Sequence, residues 1–441
     1  MIIYKKEIAT LLLVLIATTM KGQLETPSYI SMDEVVNIAT KQNSNISIAA
    51  MDQKISQAQY LQTDAVYLPQ ISLGYTAMVT NNPLNAFGFL LQQGVVSQQD
   101  FDPSKLNNPG ATHNFGTSVD VKMPLLNLDM IYARKAAKLQ QEVYGLKQQY
   151  TEAYVAYETR KAYTQLQFAY TMRDILISTL SDVKQIHRTV DNFYRQGLVQ
   201  QSDLLNAQVQ VSTVESYLSK AMSNIENASE GLNLLMNSGP EYPKVYSVDS
   251  LKQIISLPVE ETLIENRPDI KAMEKALDAT IMMEKSAKMA LLPKLNAFGG
   301  YQFNDSKMFG FGKGSYLGGV SLSWNVFTGK QDQGKIKAAK LSKMKQEQQL
   351  NQMKDESRLE LNTSLRSLSD SQKEIQKLQI SVSQAEEALR ILNNRYREGL
   401  VSTTDCLQSQ AQLSQQRIAL AQAVMNYNIT HYYIQLLINH I

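Results

Sequence analysis

The sequence predicts an α+β membrane protein made of two helix–strand–strand–helix repeats, with long coiled-coil helices carrying short β-hairpins. Three observations lead there: a long internal repeat, heptads sustained through proline-free tracts, and period-two strands confined to glycine-rich windows.

The repeat is legible residue by residue. Tyr194-Arg195-Gln196-Gly197-Leu198-Val199 recurs as Tyr396-Arg397-Glu398-Gly399-Leu400-Val401, and the match continues through Asp203 and Asp405, Leu205 and Leu407, and Gln208 and Gln410. Upstream, Tyr67-Leu68-Pro69-Gln70-Ile71 is echoed by Leu291-Leu292-Pro293-Lys294-Leu295. The expected organisation is a leader over 1–22, a first repeat over 23–238, a joining segment over 239–260 and a second repeat over 261–441. The leader has Lys5 and Lys6 before an apolar stretch from Ile8 to Ala17, then Thr18-Thr19-Met20-Lys21-Gly22. That is the layout of a secretory signal peptide, with cleavage expected before Gln23. The alternative, a membrane anchor, needs ~20 apolar residues, and the stretch is far shorter.

No proline occurs from Leu125 to Gly239 or after Lys294, whereas 14 of the 20 glycines fall between Gly74 and Gly116 or between Gly299 and Gly334. Proline breaks helices and glycine weakens them, so the first tracts read as helix and the glycine windows as something else. Leu204, Ala207, Val211, Val214, Leu218 and Ala221 begin a three–four spacing that runs to Leu235. Leu361 to Leu392 repeats it, with Gln372 filling one slot. Such spacing packs helices side by side in coiled-coil fashion. From Asp129 to Thr189 alone a helix would reach about 90 Å at ~1.5 Å per residue.

The glycine windows alternate instead. Strands are expected near 70–80, 114–124, 294–304 and 315–327, with Ile71, Leu73, Tyr75, Ala77 and Val79 on an apolar face and Ser72, Gly74 and Thr76 opposite. About ten residues of period two suits a tilted membrane-spanning strand, and Tyr75, Tyr301, Tyr316 and Trp324 suit an interfacial aromatic girdle. The competing reading, two soluble hairpins, leaves the apolar faces without a partner layer. Membrane barrels must close, and known ones begin at about eight strands, so four strands per chain force oligomerisation if they span.

Charge is balanced, 43 basic against 41 acidic residues without long runs, which argues against nucleic acid as a partner. The single cysteine, Cys406, excludes a disulfide framework and a thiolate metal cluster within one chain. His113, His187, His431 and His440 lie far apart in sequence, and the chain has no phosphate-binding loop, nucleophile elbow or dinucleotide fingerprint. No catalytic, cofactor or metal site is expected, and the chain is not read as an enzyme.

Taken in order, the paired Gly-Leu-Val turns, Asn266-Arg267-Pro268-Asp269-Ile270 and Trp324-Asn325-Val326-Phe327-Thr328-Gly329-Lys330 resemble the TolC-like outer-membrane efflux proteins. Proline in the first turn of a helix makes physical sense of the Arg-Pro-Asp motif. The resemblance covers essentially the whole mature chain. It implies a homotrimer whose twelve pooled strands form one β-barrel through the outer membrane, continued by a long α-helical barrel across the periplasm. The partners it implies are outer-membrane lipid, a periplasmic adaptor protein and, through the adaptor, an inner-membrane pump. The function it implies is the passive exit duct of a tripartite efflux or type I secretion system, gated at the periplasmic helical tip. The alternative is a periplasmic coiled-coil adaptor or scaffold without a pore. Residues 239–260 would lie in an equatorial belt, and the loops 81–114 and 305–315 would be extracellular.

By the same resemblance Gly197, Leu198, Val199, Gly399, Leu400 and Val401 are adaptor-contact tip turns. Each also has a local reason, since glycine ends a helix in the left-handed conformation and Leu-Val packs the corner. Asp203 and Asp405 read either as a ring of carboxylates at a constriction or as helix caps, with capping ahead. Asp191, Arg195, Tyr396 and Arg397 are candidates for interhelical links of the closed gate, or solvated surface residues. Asp120 and Lys122 are candidate lumen residues of the barrel.

Overall fold

The computed structural model describes residues 28–239, 245–255 and 266–438. Residues 1–27, 240–244, 256–265 and 439–441 lie outside the described residues, and with them the leader and much of the joining segment. The described chain divides into two units: one takes residues up to 49, 148–268 and 355 onward, the other 50–147 and 269–354. Each sequence repeat therefore contributes to both units.

The first unit is helical. It contains the short strand β1 (Ser28–Tyr29), helix α1 (Met32–Gln42) and the start of α2 (Ser44–Gln62). It also holds the second part of α5 (Leu128–Arg195), α6 (Gln201–Met236), β4 (Tyr246–Ser247), the end of α8 (Gln331–Arg397) and α9 (Thr403–Leu437). The helices α5 and α8 are 68 and 67 residues long, about 100 Å each at ~1.5 Å per residue. Their seams follow the predicted heptads: in α6, Ala207, Val211, Val214, Ala221 and Ile225 are buried. Near the end of α6 Leu232 keeps its expected place, but the buried positions on either side of it move one residue on, to Ser229 and Met236. A 3.6-residue turn drifts relative to a strict seven-residue repeat, so a helix that is not strongly supercoiled changes its buried face in this way. In α8 the slot assigned to Gln372 goes to Ser371, which is half-buried while Gln372 is exposed.

Around β1, which pairs in parallel with β4, Ile30, Val35, Ala39, Tyr163, Leu232 and Tyr246 form one core cluster. The buried Tyr163 hydroxyl ties it together by donating to the Ile30 carbonyl at 3.0 Å.

The second unit carries a four-stranded antiparallel sheet, in the order β2 (Gln70–Thr80), β3 (Thr112–Leu126), β5 (Lys294–Asp305), β6 (Lys313–Ser323). All four expected strands are present. The fourth ends at Ser323, short of the expected 327: the Trp324 indole turns aside to donate to the Leu291 carbonyl at 2.9 Å. Gly329 and Lys330 then adopt positive φ and turn the chain into α8. A register shift between Pro124 and Leu126 accommodates the proline at a bulge, where no ladder donor is required. Helix α7 (Pro268–Met289) begins at the proline of the Arg-Pro-Asp motif, as expected from its place in a first turn. The β2–β3 connection, expected as a loop, contains α3 (Pro83–Gln93) and the one-turn α4 (Pro103–Asn107).

Candidate functional site

Two places hold the residues that the sequence singled out: the turns α5–α6 and α8–α9, and the two faces of the sheet.

The turns have the same backbone. Gly197 and Gly399 sit at φ 73° and 71°, where only glycine is unstrained. Each N–H donates three residues back, Gly197 to Tyr194 at 2.9 Å and Gly399 to Tyr396 at 3.0 Å. The next N–H closes the longer bond, Leu198 to Phe193 at 2.8 Å and Leu400 to Arg395 at 2.9 Å. That pattern is a Schellman-type helix end. Leu198 and Leu400 are exposed, while Val199 and Val401 turn inward.

Asp203 and Asp405 cap the helices that follow. The Gln200 N–H donates to the Asp203 carboxylate at 3.1 Å. Ser402 donates to Asp405 from both its N–H (2.9 Å) and its hydroxyl (2.7 Å), and the Asp405 N–H returns a bond to Ser402 Oγ at 3.2 Å. The Ser402 hydrogen bonds hold the Asp405 carboxyl below the usual carboxylate range. Both carboxylates thus have the capping geometry that was set against the constriction ring.

The gate candidates separate. Asp191 and Arg195 pair at 2.7 Å within one turn of α5, so their ion pair joins no second helix. Arg397 lines a polar cleft of about 470 Å³ with Asp182, Glu386, Arg390, Gln410 and Arg417. Tyr396 is not a surface residue, and its contacts run between helices. It is buried against Phe193, rings 5.5 Å apart, with its hydroxyl 2.9 Å from Thr403 Oγ1, and burial raises its pKa. Beside it lies Cys406, fully buried, its thiol pushed up to about 11 by desolvation.

Among the interhelical links that the sequence does not announce, two converge on α9. Gln410 Nε2 donates to Asp182 at 3.1 Å, joining α9 to α5, and Arg417 pairs with Glu386 at 2.8 Å, joining α9 to α8. Gln410 is buried between Cys406 and Leu413 on α9. A polar residue in an apolar seam was the available signal.

In the sheet, register sorts the side chains. Leu73, Val119, Tyr301 and Tyr316 form one cross-strand row, and Ile71 pairs with Val121 on the same face. That face is open: Leu73 is 77% exposed and Ile71 70%. Asp120 and Lys122 lie on the other face, with Ser72, Asn114 and Gln302. Asp120 accepts a hydrogen bond from Ser118 Oγ at 3.0 Å. Opposite it, a Cβ on Gly300 would lie 2.9 Å from the carboxylate, so glycine makes room for the charge. The outer strands β2 and β6 each have one neighbour among the described residues. No described helix is long and apolar enough to cross a membrane, and the described residues contain no group of ligands fit for a metal ion.

An antiparallel sheet with one apolar face and one polar face, feeding helices of 67 and 68 residues, defines a class of outer-membrane channel subunits. The chain belongs to the outer membrane efflux protein family, whose model matches residues 35–238 and 260–440, and its place is the cell outer membrane. The fold is that of solved channels. The Campylobacter jejuni CmeC outer membrane channel superposes with a TM-score of 0.80 at 18% identity, covering 96% of this chain and 90% of that one. The outer-membrane channel OprN gives 0.81 at 18% identity over 93% and 90%. The outer membrane protein VceC from Vibrio cholerae gives 0.77 at 18% identity over 93% and 95%. No curated protein sequence matches the chain significantly.

Proposed function

We propose that the chain is the exit duct of a tripartite efflux or type I secretion system: a homotrimeric channel that conducts passively and opens at its periplasmic helical tip. One observation carries the reading. The sheet has an exposed apolar face, a polar face and two edge strands with unused pairing capacity, a combination stable in lipid only if copies close it into a barrel. Three copies pool twelve strands, within the range of closed membrane barrels. A single residue, Asn127, separates β3 from α5, so the barrel wall passes directly into helix. Membership of the efflux family supports export as the role, with the energy supplied by an inner-membrane pump and no chemistry done by this chain.

In this reading Asp120 and Lys122 face the lumen. The turns Gly197-Leu198-Val199 and Gly399-Leu400-Val401, with Leu198 and Leu400 outermost, are where a periplasmic adaptor engages, and the Tyr396 cluster with the Asp182–Gln410 link holds the tip helices together at rest.

The test is the native mass of protein extracted in detergent from an outer-membrane fraction. A protein mass near three times 49.6 kDa, less the leader, supports the shared barrel, whereas a water-soluble monomer or dimer sinks it and leaves a scaffold. Replacing Gly197 and Gly399 together by proline, whose φ is fixed near −65°, should abolish efflux with membrane insertion retained. Loss of insertion as well would give the turns a folding role only.

A further inference from the structure

The β2–β3 insert is the part of the molecule that the duct reading leaves without a task. Its helix α3 starts at Asn82, whose side chain caps Asn85, and ends at Gly94 with φ 67°. The helix does not project from the sheet; it lies on it. Gln93 is buried and donates from Nε2 to the His113 carbonyl at 2.7 Å and to Asn114 Oδ1 at 3.0 Å. Asn114 Nδ2 in turn donates to Asn304 Oδ1 at 2.9 Å. Asn114 and Asn304 are 0% and 2% exposed, so the helix has sealed a chain of amides against the strands. Lys313 lies beneath Gly94. By register Asn114, Asn304 and Lys313 are all on the face that carries Asp120 and Lys122.

This placement has a consequence once the sheet closes. A barrel with its apolar face toward lipid has its polar face inside, so α3 stands in the bore at the hairpin end. Twelve strands ~4.8 Å apart and tilted ~40° enclose a backbone diameter of about 24 Å. Three helices, each ~10 Å across with side chains, occupy most of that width. The outward side of α3 fits the same arrangement. Ala86 and Gln93, seven residues apart, face the sheet, whereas Leu84 and Leu91, also seven apart, lie about 160° round the helix at ~100° per residue. They are 82% and 56% exposed, and Val95 extends the stripe just past the helix end. An apolar stripe facing the axis of a water-filled bore finds its cover in the same stripe of the other two chains.

We propose that α3 is a plug, three copies of which stand inside the outer mouth of the barrel and meet through Leu84 and Leu91. This rests on the three-chain barrel proposed above. It adds a second barrier to the duct, in the bore of the barrel and made by a different kind of contact.

Disulfide trapping tests it. Leu91→Cys and, separately, Leu84→Cys are made in the full chain, oxidised with copper–phenanthroline in the native outer-membrane extract, and run on a denaturing gel without reductant. The parent chain, whose one thiol is buried, gives the blank. Convergent helices bring Cα atoms within the ~4.4–6.8 Å that a disulfide spans. Three thiols about one axis form a single bridge, so up to two-thirds of the chains should run as a covalent dimer. A native mass of three chains with no dimer from either variant overturns the plug and leaves the barrel standing. A native mass other than three chains overturns the barrel, and the plug with it.

Discussion

The two turns share a backbone and differ in how side chains hold it. Tyr194 and Tyr396 occupy equivalent places in the repeat, yet Tyr194 is 38% exposed and Tyr396 only 5%. Tyr396 closes a buried contact with Phe193 of the other hairpin and reaches Thr403, a position occupied in the first repeat by Gln201. Gln208 and Gln410 diverge in the same way: Gln208 is exposed, while Gln410 is buried and bonded to Asp182. The duplicated backbone was kept because helix-stop geometry depends on one glycine and a few main-chain bonds. The side chains were free to specialise, and the second turn became the anchored one.

That asymmetry can be broken most strongly at Tyr396. Tyr396→Ala removes a buried ring and strands the Thr403 hydroxyl, at about 3 kcal/mol or more for a large-to-small core change. Amide exchange in the α8–α9 turn should then accelerate roughly hundredfold where it proceeds by local opening. Tyr194→Ala should leave its own turn nearly unchanged, and equal effects at the two sites would refute specialisation. Gly197→Ala and Gly399→Ala should behave alike instead, since both cost about 1–2 kcal/mol for an L-residue at positive φ and neither Cβ meets a neighbour. Unequal costs would mean that the backbones differ in strain after all.

The smallest effect is electrostatic. Asp405 has a depressed folded-state pKa, so its contribution is fully present above the ordinary carboxylate value and fades as pH falls through the folded one. Protection at the α9 N-terminus, measured relative to the intrinsic exchange rate at each pH, should fall in acid, and Asp405→Asn should remove that pH dependence. A turn whose acid response survives the substitution has another titrating group behind it.

Much of this architecture was legible because it is periodic. Heptads through proline-free tracts located α6 and α8, and alternation with glycine located all four strands and assigned Asp120 and Lys122 to the polar face. What escaped depended on contacts distant in sequence. The insert helix α3 carried its own local punctuation, Asn82 as cap, Pro83 in the first turn and Gly94 at the end, but two prolines further along made the whole connection look like loop. The end of β6 was set by the reach of one indole to Leu291, which no period encodes. At the turns, the sequence named Tyr396 and Arg397 together, but only packing could show that one is buried and the other exposed.

Cys406 carries a last consequence. A thiol with a pKa near 11, sealed between Leu392 and the Tyr396 cluster, is almost wholly protonated at neutral pH and out of reach of other thiols. A chain bound for an oxidising compartment can therefore keep this cysteine as a small apolar side chain, with no risk of bridging to a neighbour once folded. Its exposure to a thiol reagent would report loosening of the buried layer beneath the turns, a native probe that needs no engineered residue.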